Sequence, residues 1–235
     1  MRVPRGPLLY ACAALISLAF PASAGGLFWS DRFSGNQNIR ACNFDGSNVR
    51  NIRSVGLSDP RGVVVDNAGG RIYFITRSGG ILQSVDFANA NYVQHVTGLT
   101  APADLRLDTA NRVLYWCEET AGTIRKAALP PVPQIPGTLL PQGVFSGLSA
   151  PYYLDLDVTG GRLYWGQNGA SIFSGPIGGG TPDPAIYSSG SDNRGVCVDV
   201  PRGMLYWAER GNRVVRRRRR HPRRRSSCVP RRPSS

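Results

Sequence analysis

Histidine is nearly absent from this sequence: there are two, His95 and His221. His95 stands alone in a strand-like pattern and His221 lies in the C-terminal tail. No Ser/His/Asp or Cys/His constellation can be assembled from them, so no catalytic residue is assigned. Cysteine is sparse too, with Cys12, Cys42, Cys117, Cys197 and Cys228, and none share a C-x-x-C or similar spacing. That argues against zinc. Cys117 and Cys197 fall inside strand patterns and are expected as buried thiols acting as small hydrophobes. Export would permit disulfides, but spacing assigns no pairs. Past position 24, no apolar run approaches the ~20 residues of a membrane-spanning helix. Long stretches of 3.6-residue periodicity are missing as well. With 28 Gly and 18 Pro in 235 residues, this favours an all-β chain rich in turns.

Acidic residues are missing from both ends. Of 28 basic residues, Arg2 and Arg5 open the chain and eleven arginines lie from Arg213 onward; the remaining 15 balance all 15 acidic residues. The net charge of +13 is therefore a property of the ends, and the body is neutral. A nucleic-acid-binding fold carries its charge on a folded face, so specific nucleic-acid binding is not expected.

Residues 1–24 read as a signal peptide. Arg2 and Arg5 form the positive region, Leu8 to Phe20 the apolar run, and Pro21-Ala22-Ser23-Ala24 an A-x-A cleavage pattern. The product would be secreted, periplasmic or extracellular.

Five stretches organise residues 25–215: Leu27-Phe28-Trp29-Ser30-Asp31, Ile72-Tyr73-Phe74-Ile75-Thr76, Leu114-Tyr115-Trp116-Cys117-Glu118, Leu163-Tyr164-Trp165-Gly166-Gln167 and Leu205-Tyr206-Trp207-Ala208-Glu209. They recur every 42–49 residues, the period of a propeller blade. In four of them an aspartate (Asp66, Asp108, Asp157, Asp199) precedes the first aromatic by seven residues, and alternating apolar residues lead into it. Strand, short turn, strand is the reading, and two further strands complete each unit. Four antiparallel strands per unit make a β-propeller of about four and a half to five blades. Because the Asp recurs in each unit, its expected role is structural: accepting hydrogen bonds from turn amides. The tryptophans Trp29, Trp116, Trp165 and Trp207 are expected as packing elements between sheets. Leu129 to Gly143, with four prolines in seven residues, is read as a surface insertion, with a recognition loop as the alternative.

The Leu-x-Leu-Asp segment, the seven-residue interval and the Tyr-Trp pair resemble the YWTD repeat, the class B repeat of low-density-lipoprotein receptors. Arg106-Leu107-Asp108 through Tyr115-Trp116 to Ile124-Arg125 is one close match, and Leu156-Asp157 through Tyr164-Trp165 to Ile172 another. The resemblance spans about residues 27–212. It implies a six-bladed propeller used outside the cytoplasm for protein binding. Three departures stand out. The fourth motif residue is Asp only at Asp31, Phe74 replaces Trp in the second repeat, and a sixth motif is missing.

From Arg216 the composition cannot build a core, and residues 216–235 are expected to be disordered. Two readings of this tail stay open. One is a coding sequence read out of frame, since the arginine run begins inside a strand pattern. The other is a genuine tail that contacts anionic polymers or glycans. Translating the gene downstream of Arg216 in the other two frames tests the first: a further Leu-x-Leu-Asp, seven residues, Tyr-Trp is expected, and its absence from both frames rejects it.

The functional expectation is an exported, non-enzymatic binding protein that uses one propeller face for a protein or glycan ligand. No cofactor is assigned. The alternative is a lactonase-like hydrolase or lyase with a metal such as calcium in the central channel, for which the non-repeated candidates are Asp104, Asp155 and Glu119.

Overall fold

Short apolar alternations separated by Asp- and Gly-containing turns leave the chain little choice but antiparallel pairing of neighbouring strands. The structure, a computed structural model, describes residues 26–32, 37–133, 137–167, 171–188, 193–209 and 213–218. They form five antiparallel sheets, each a simple meander, and no α-helix. The first sheet holds β1 (Leu27–Asp31), β2 (Asn38–Cys42) and β3 (Arg50–Arg53). The second holds β4 (Pro60–Asp66), β5 (Arg71–Thr76), β6 (Ile81–Asp86) and β7 (Val93–Val96). The third holds β8 (Pro102–Asp108), β9 (Val113–Glu118), β10 (Thr123–Ala128) and β11 (Gln142–Phe145). The fourth holds β12 (Pro151–Asp157), β13 (Arg162–Gln167), β14 (Ser171–Pro176) and β15 (Tyr187–Ser188). The fifth holds β16 (Asn193–Asp199), β17 (Met204–Glu209) and β18 (Arg213–Arg218). The strands β4, β8, β12 and β16 pack side by side as the inner strands of successive blades.

The aromatic pair acts through the two-residue period of a strand, which sends adjacent side chains to opposite faces of a sheet. The first aromatic packs forward onto the next blade and the second packs backward onto the previous one. Tyr73 thus meets Trp116 in one core cluster, Tyr115 meets Trp165 in the next, and Tyr164 meets Trp207 in the next. Phe28 and Phe74 share the cluster between the first and second blades. Trp116, Trp165 and Trp207 are buried as expected, whereas Trp29 is only half-buried. Its backward face has no blade among the described residues.

Each repeated Asp accepts a hydrogen bond from the amide three residues on: Gly69 to Asp66 at 2.9 Å, Asn111 to Asp108 at 2.9 Å, Gly160 to Asp157 at 2.8 Å and Arg202 to Asp199 at 3.1 Å. The carboxylate closes the turn that the seven-residue interval must span. The next turn position requires positive φ. Gly70, Gly161 and Gly203 supply it at 64°, 63° and 61°, and Arg112 adopts 53° in the third blade. Arg112 thereby reaches back to the second blade and grips Asp66 with two bonds of 3.1 and 2.8 Å.

Three sequence expectations change. Cys117 is fully buried, but Cys197 is exposed. Cys197 sits two residues before its Asp, as Val64, Arg106 and Asp155 do in the earlier blades, and lies opposite Tyr206 on the forward face of the fifth sheet, against which no further blade stands among the described residues. β18 runs to Arg218, three residues into the segment expected to be disordered, pairing Arg216 with Tyr206 and Arg218 with Met204. Strand pairing uses only backbone groups, which arginine supplies like any other residue. Residues 219–235 and residues 1–24, which read as a signal peptide in the sequence, lie outside the described residues. The proline-rich insertion is not simply a surface loop. Leu129 and Leu139 are buried in the cluster between the second and third blades, and the Leu139 amide donates to the His95 carbonyl at 3.0 Å.

Buried His95 holds the same insertion with its ring. Its Nδ1 lies 2.7 Å from the Gly137 carbonyl and its Nε2 2.6 Å from Ser84 Oγ, which accepts from Arg71 Nε at 2.8 Å. Since the Gly137 carbonyl can only accept, Nδ1 carries the proton, and Nε2 accepts from the Ser84 hydroxyl. Burial holds the His95 pKa below its ordinary value of 6.5, outweighing the Gly137 contact, and neighbouring Arg71 lowers it further. A depressed folded pKa means that the unfolded chain binds the proton more tightly. The stability from neutral His95 is therefore present above pH 6.5 and lost as pH falls through the folded value. Urea midpoints of wild type and His95→Gln are expected to converge between pH 7.5 and about pH 5. A gap that stays constant with pH would contradict this assignment.

Candidate functional site

The first residues of β4, β8 and β12 come together beside β1. There a cleft of about 620 Å³ runs along β1, with Phe28 to Arg32 on one wall and Pro60 to Val63, Ala103, Asp104, Tyr152 and Tyr153 on the other. Trp29, the half-buried aromatic, is part of it. Arg61, like Arg32, lines it. It donates to Tyr152 Oη at 2.7 Å and to Asp59 Oδ2 at 2.9 Å, while its buried Nε has no hydrogen-bond partner among the described residues. The guanidinium carbons of Arg61 and Arg77 each lie 5.8 Å from the centre of the Tyr152 ring, and Tyr153 packs on Tyr152 at 4.7 Å. Each such cation–π contact is worth about 0.5–2 kcal/mol, more as it is desolvated.

Of the three non-repeated acids only Asp104 lines the cleft, and each of the three already has donors. Asp104 is buried and accepts from the Leu105 amide at 2.9 Å, the Leu154 amide at 3.1 Å and Arg106 at 2.8 Å. Burial pushes its carboxyl up from the ordinary value, against the pull of Arg106 and the two amides. Asp155 accepts from the Val198 amide at 2.7 Å and pairs with Arg106 Nε at 3.4 Å. Glu119 pairs with Arg77. Asp104 and Asp155 thus staple successive inner strands together. Among the described residues no group of three or more His, Cys, Asp or Glu could hold a metal ion. Burial also pushes the Cys117 thiol well above its ordinary value, which removes it as a nucleophile.

Two features of the scaffold were missed in the sequence. Pro60, Pro102 and Pro151 stand six residues before their Asp, and the residue before each takes positive φ: Asp59 at 53°, Ala101 at 51° and Ala150 at 46°. The Pro six residues upstream was a visible signal. In the fifth blade Asn193 replaces it, with both amide atoms buried and no partner among the described residues. The second feature is the purpose of the fourth motif residue. Glu118 accepts from Trp116 Nε1 at 3.2 Å and the Thr100 amide at 2.8 Å, and Glu209 accepts from Trp207 Nε1 at 3.3 Å. In the fourth blade Gln167 stands in this place, and Trp165 Nε1 is buried without a partner among the described residues. Gln167→Glu is expected to raise stability by about 1 kcal/mol, read from the urea midpoint; a lower midpoint would show that the Glu–Trp pairs are incidental.

No protein-family model matches the chain. Solved structures resemble it. A chain of the nidogen/laminin complex superposes with a TM-score of 0.65 at 15% identity, covering 78% of this chain and 70% of that one. The β-propeller domain of Myceliophteria thermophila Cps50 (Swd1) gives 0.61 at 12% identity, with 83% and 66% covered. The computationally designed Ika4 protein gives 0.53 at 11% identity, with 69% and 92% covered. At these identities the likeness concerns the fold, and together with five antiparallel meanders packed through their aromatic faces it establishes that this chain is a β-propeller.

Proposed function

We propose that this chain is an exported, non-enzymatic binding protein of the class B (YWTD) type that engages a protein partner through the cleft beside β1. The observation that carries this reading is the composition of the cleft. Trp29, Arg61, Tyr152 and Tyr153 are gathered at one end of the blades, and Trp, Tyr and Arg are the residues that dominate protein-interface energetics. The similar nidogen/laminin structure is itself a protein complex, which supports a binding role. Export rests on the signal-like segment 1–24. The hydrolase alternative gains nothing from Asp104, Asp155 and Glu119, whose carboxylates are engaged by arginines and backbone amides.

The test uses the full chain as bait against a panel of purified extracellular proteins, with a glycan array and heparin beside it. Saturable binding to a protein is expected, weakened at least about tenfold by Arg61→Ala with Tyr152→Ala, with no change in the glycan signals. Binding indifferent to the double variant, or confined to glycans, would overturn the reading. So would ester hydrolysis with a calcium-dependent rise in melting temperature. A reporter fused behind residues 1–24 is expected outside the cytoplasm, cleaved after Ala24.

A further inference from the structure

Blades two, three and four differ on their backward faces. The residue opposite the second aromatic on the following strand is Gln83 in the second blade, Arg125 in the third and Phe173 in the fourth. In the second and fourth blades side chains fill the space around it. Tyr92 Oη donates to Gln83 Oε1, Gln94 Nε2 donates to Tyr92 Oη at 2.9 Å, and the Arg53 guanidinium lies 3.8 Å from the centre of the Tyr92 ring. Phe173 stacks on Trp165 with ring centres 6.1 Å apart. In the third blade the outer strand places Gly143 opposite Arg125, where the second blade has Gln94 opposite Gln83. A Cβ at Gly143 would meet no atom within 4 Å, and its φ is not left-handed, so the backbone does not require glycine there. A glycine inside a strand often marks the close approach of another group. A cavity of about 610 Å³ opens at this place, with Thr100, Glu118, Thr123, Arg125, Gly143 and Ser146 on its walls. It shares no residue with the cleft beside β1. We propose that this cavity is a second binding site, which takes a small carboxylate on Arg125 and Thr123.

The ligand class follows from which hydrogen-bonding groups in the cavity are already used. Glu118 is saturated. Its Oε1 accepts from Trp116 Nε1 at 3.2 Å and Arg125 Nη1 at 3.3 Å, and its Oε2 accepts from the Thr100 amide at 2.8 Å and the Thr100 hydroxyl at 3.2 Å. These donors fill the roughly four lone-pair positions of a carboxylate. The remaining capacity is in donors. Arg125 gives Glu118 one N–H, and its side chain is 34% exposed. Thr123 Oγ1 is buried without a hydrogen-bond partner among the described residues, whereas Ser171, its counterpart in the fourth blade, pairs with Ser188 at 3.0 Å. Thr123 and Arg125 are two residues apart on β10, so both side chains leave the same face of the sheet. A guanidinium beside a hydroxyl suits an acceptor with two oxygens, and arginine binds a carboxylate through two parallel N–H bonds. Glu118 already balances the charge of Arg125, so affinity comes from these bonds and is modest, with a Kd on the order of 1 mM. The volume admits an acid the size of a hexuronate, whose ring hydroxyls would meet Thr100 and Ser146.

The experiment titrates the full chain with glucuronate, glucuronamide and glucose, followed by saturation-transfer NMR of the ligand. Glucuronate is expected to bind saturably, and the two uncharged sugars at least about tenfold more weakly. Arg125→Gln should remove binding, but it also disturbs Glu118. Gly143→Ile is therefore the decisive variant. It places a β-branched side chain into open space at a strand position, so its melting temperature should hold or rise while glucuronate binding weakens at least about tenfold. No saturable binding of glucuronate rejects the site. Equal binding of all three sugars rejects the carboxylate, and binding that survives both substitutions rejects this cavity as its location. The proposal does not depend on the cleft beside β1. Arg61→Ala with Tyr152→Ala should leave glucuronate binding unchanged, and its loss in that variant would move the contact to the cleft and overturn the assignment.

Discussion

Replacing Trp116 with alanine is expected to lower the unfolding free energy by about 4 kcal/mol, within the range for deleting a large buried aromatic. Trp116 is fully buried between the second and third blades, against Tyr73, Ile75, Leu82 and Leu105. Its indole also donates to Glu118, which the substitution would leave with one donor fewer. A single domain has only about 5–15 kcal/mol to lose, so the alanine variant can fall near the unfolding threshold. Trp116→Phe keeps the experiment measurable. The second blade already carries Phe74 in the corresponding place, fully buried, so phenylalanine fits the geometry and its cost should be about 2 kcal/mol. Trp29→Ala is the contrast. Trp29 is only half-buried, with the Arg40 guanidinium 5.7 Å from its ring, and its removal should cost about 1 kcal/mol. Urea midpoints of the three variants should fall in that order. Equal costs for Trp29 and Trp116 would mean that the aromatic of the first blade is covered like the others.

The second large effect is expected at Asp66. This carboxylate is buried, accepts the Gly69 amide and receives two bonds from Arg112 of the next blade. Asp66→Ala removes all three and leaves a guanidinium facing an apolar gap. Breaking a buried pair by deleting one partner costs about 3–5 kcal/mol, and Arg112 retains some exposure, so about 3 kcal/mol is expected. The pair has a coupling test. Arg112 sits at φ 53° where the other blades use glycine, a conformation that costs a side-chain residue roughly 1 kcal/mol. In the wild type, Arg112→Gly relieves that strain but loses the ion pair, for a net loss of about 1 kcal/mol. In the Asp66→Ala background there is no ion pair to lose, only the Arg112 Nε bond to the Pro130 carbonyl at 3.1 Å, so the same substitution should be close to neutral. An identical change in both backgrounds would show that Arg112 and Asp66 do not act on each other.

The repeat was legible in the chain because its determinants are local. A carboxylate that caps its own turn, Asp66 to Gly69 or Asp157 to Gly160, must sit a fixed number of residues from that turn. The aromatic pair alternates faces by strand geometry alone. All-β class, blade number, turn positions and the structural role of the four aspartates follow from such short-range rules. The pairings between blades do not, because they join residues far apart in sequence. Spacing does not announce that Arg112 would reach Asp66, 46 residues back, or that Asp104 and Asp155 would cap amides of the following blade. Nor does it show that Leu139 from a proline-rich insertion would be buried under His95. Cys197 and Cys117 lie in similar strand patterns and end in opposite environments, because Cys117 packs against the fourth blade and Cys197 faces a side where no blade stands among the described residues. The same holds for the cleft. Trp29 reads like Trp116, Trp165 and Trp207, and only the assembled blades reveal that its backward face and its inner edge meet no strand among the described residues. Local chemistry determined each blade, while what lies between blades was decided by their packing, since burial is a property of the neighbour as much as of the residue.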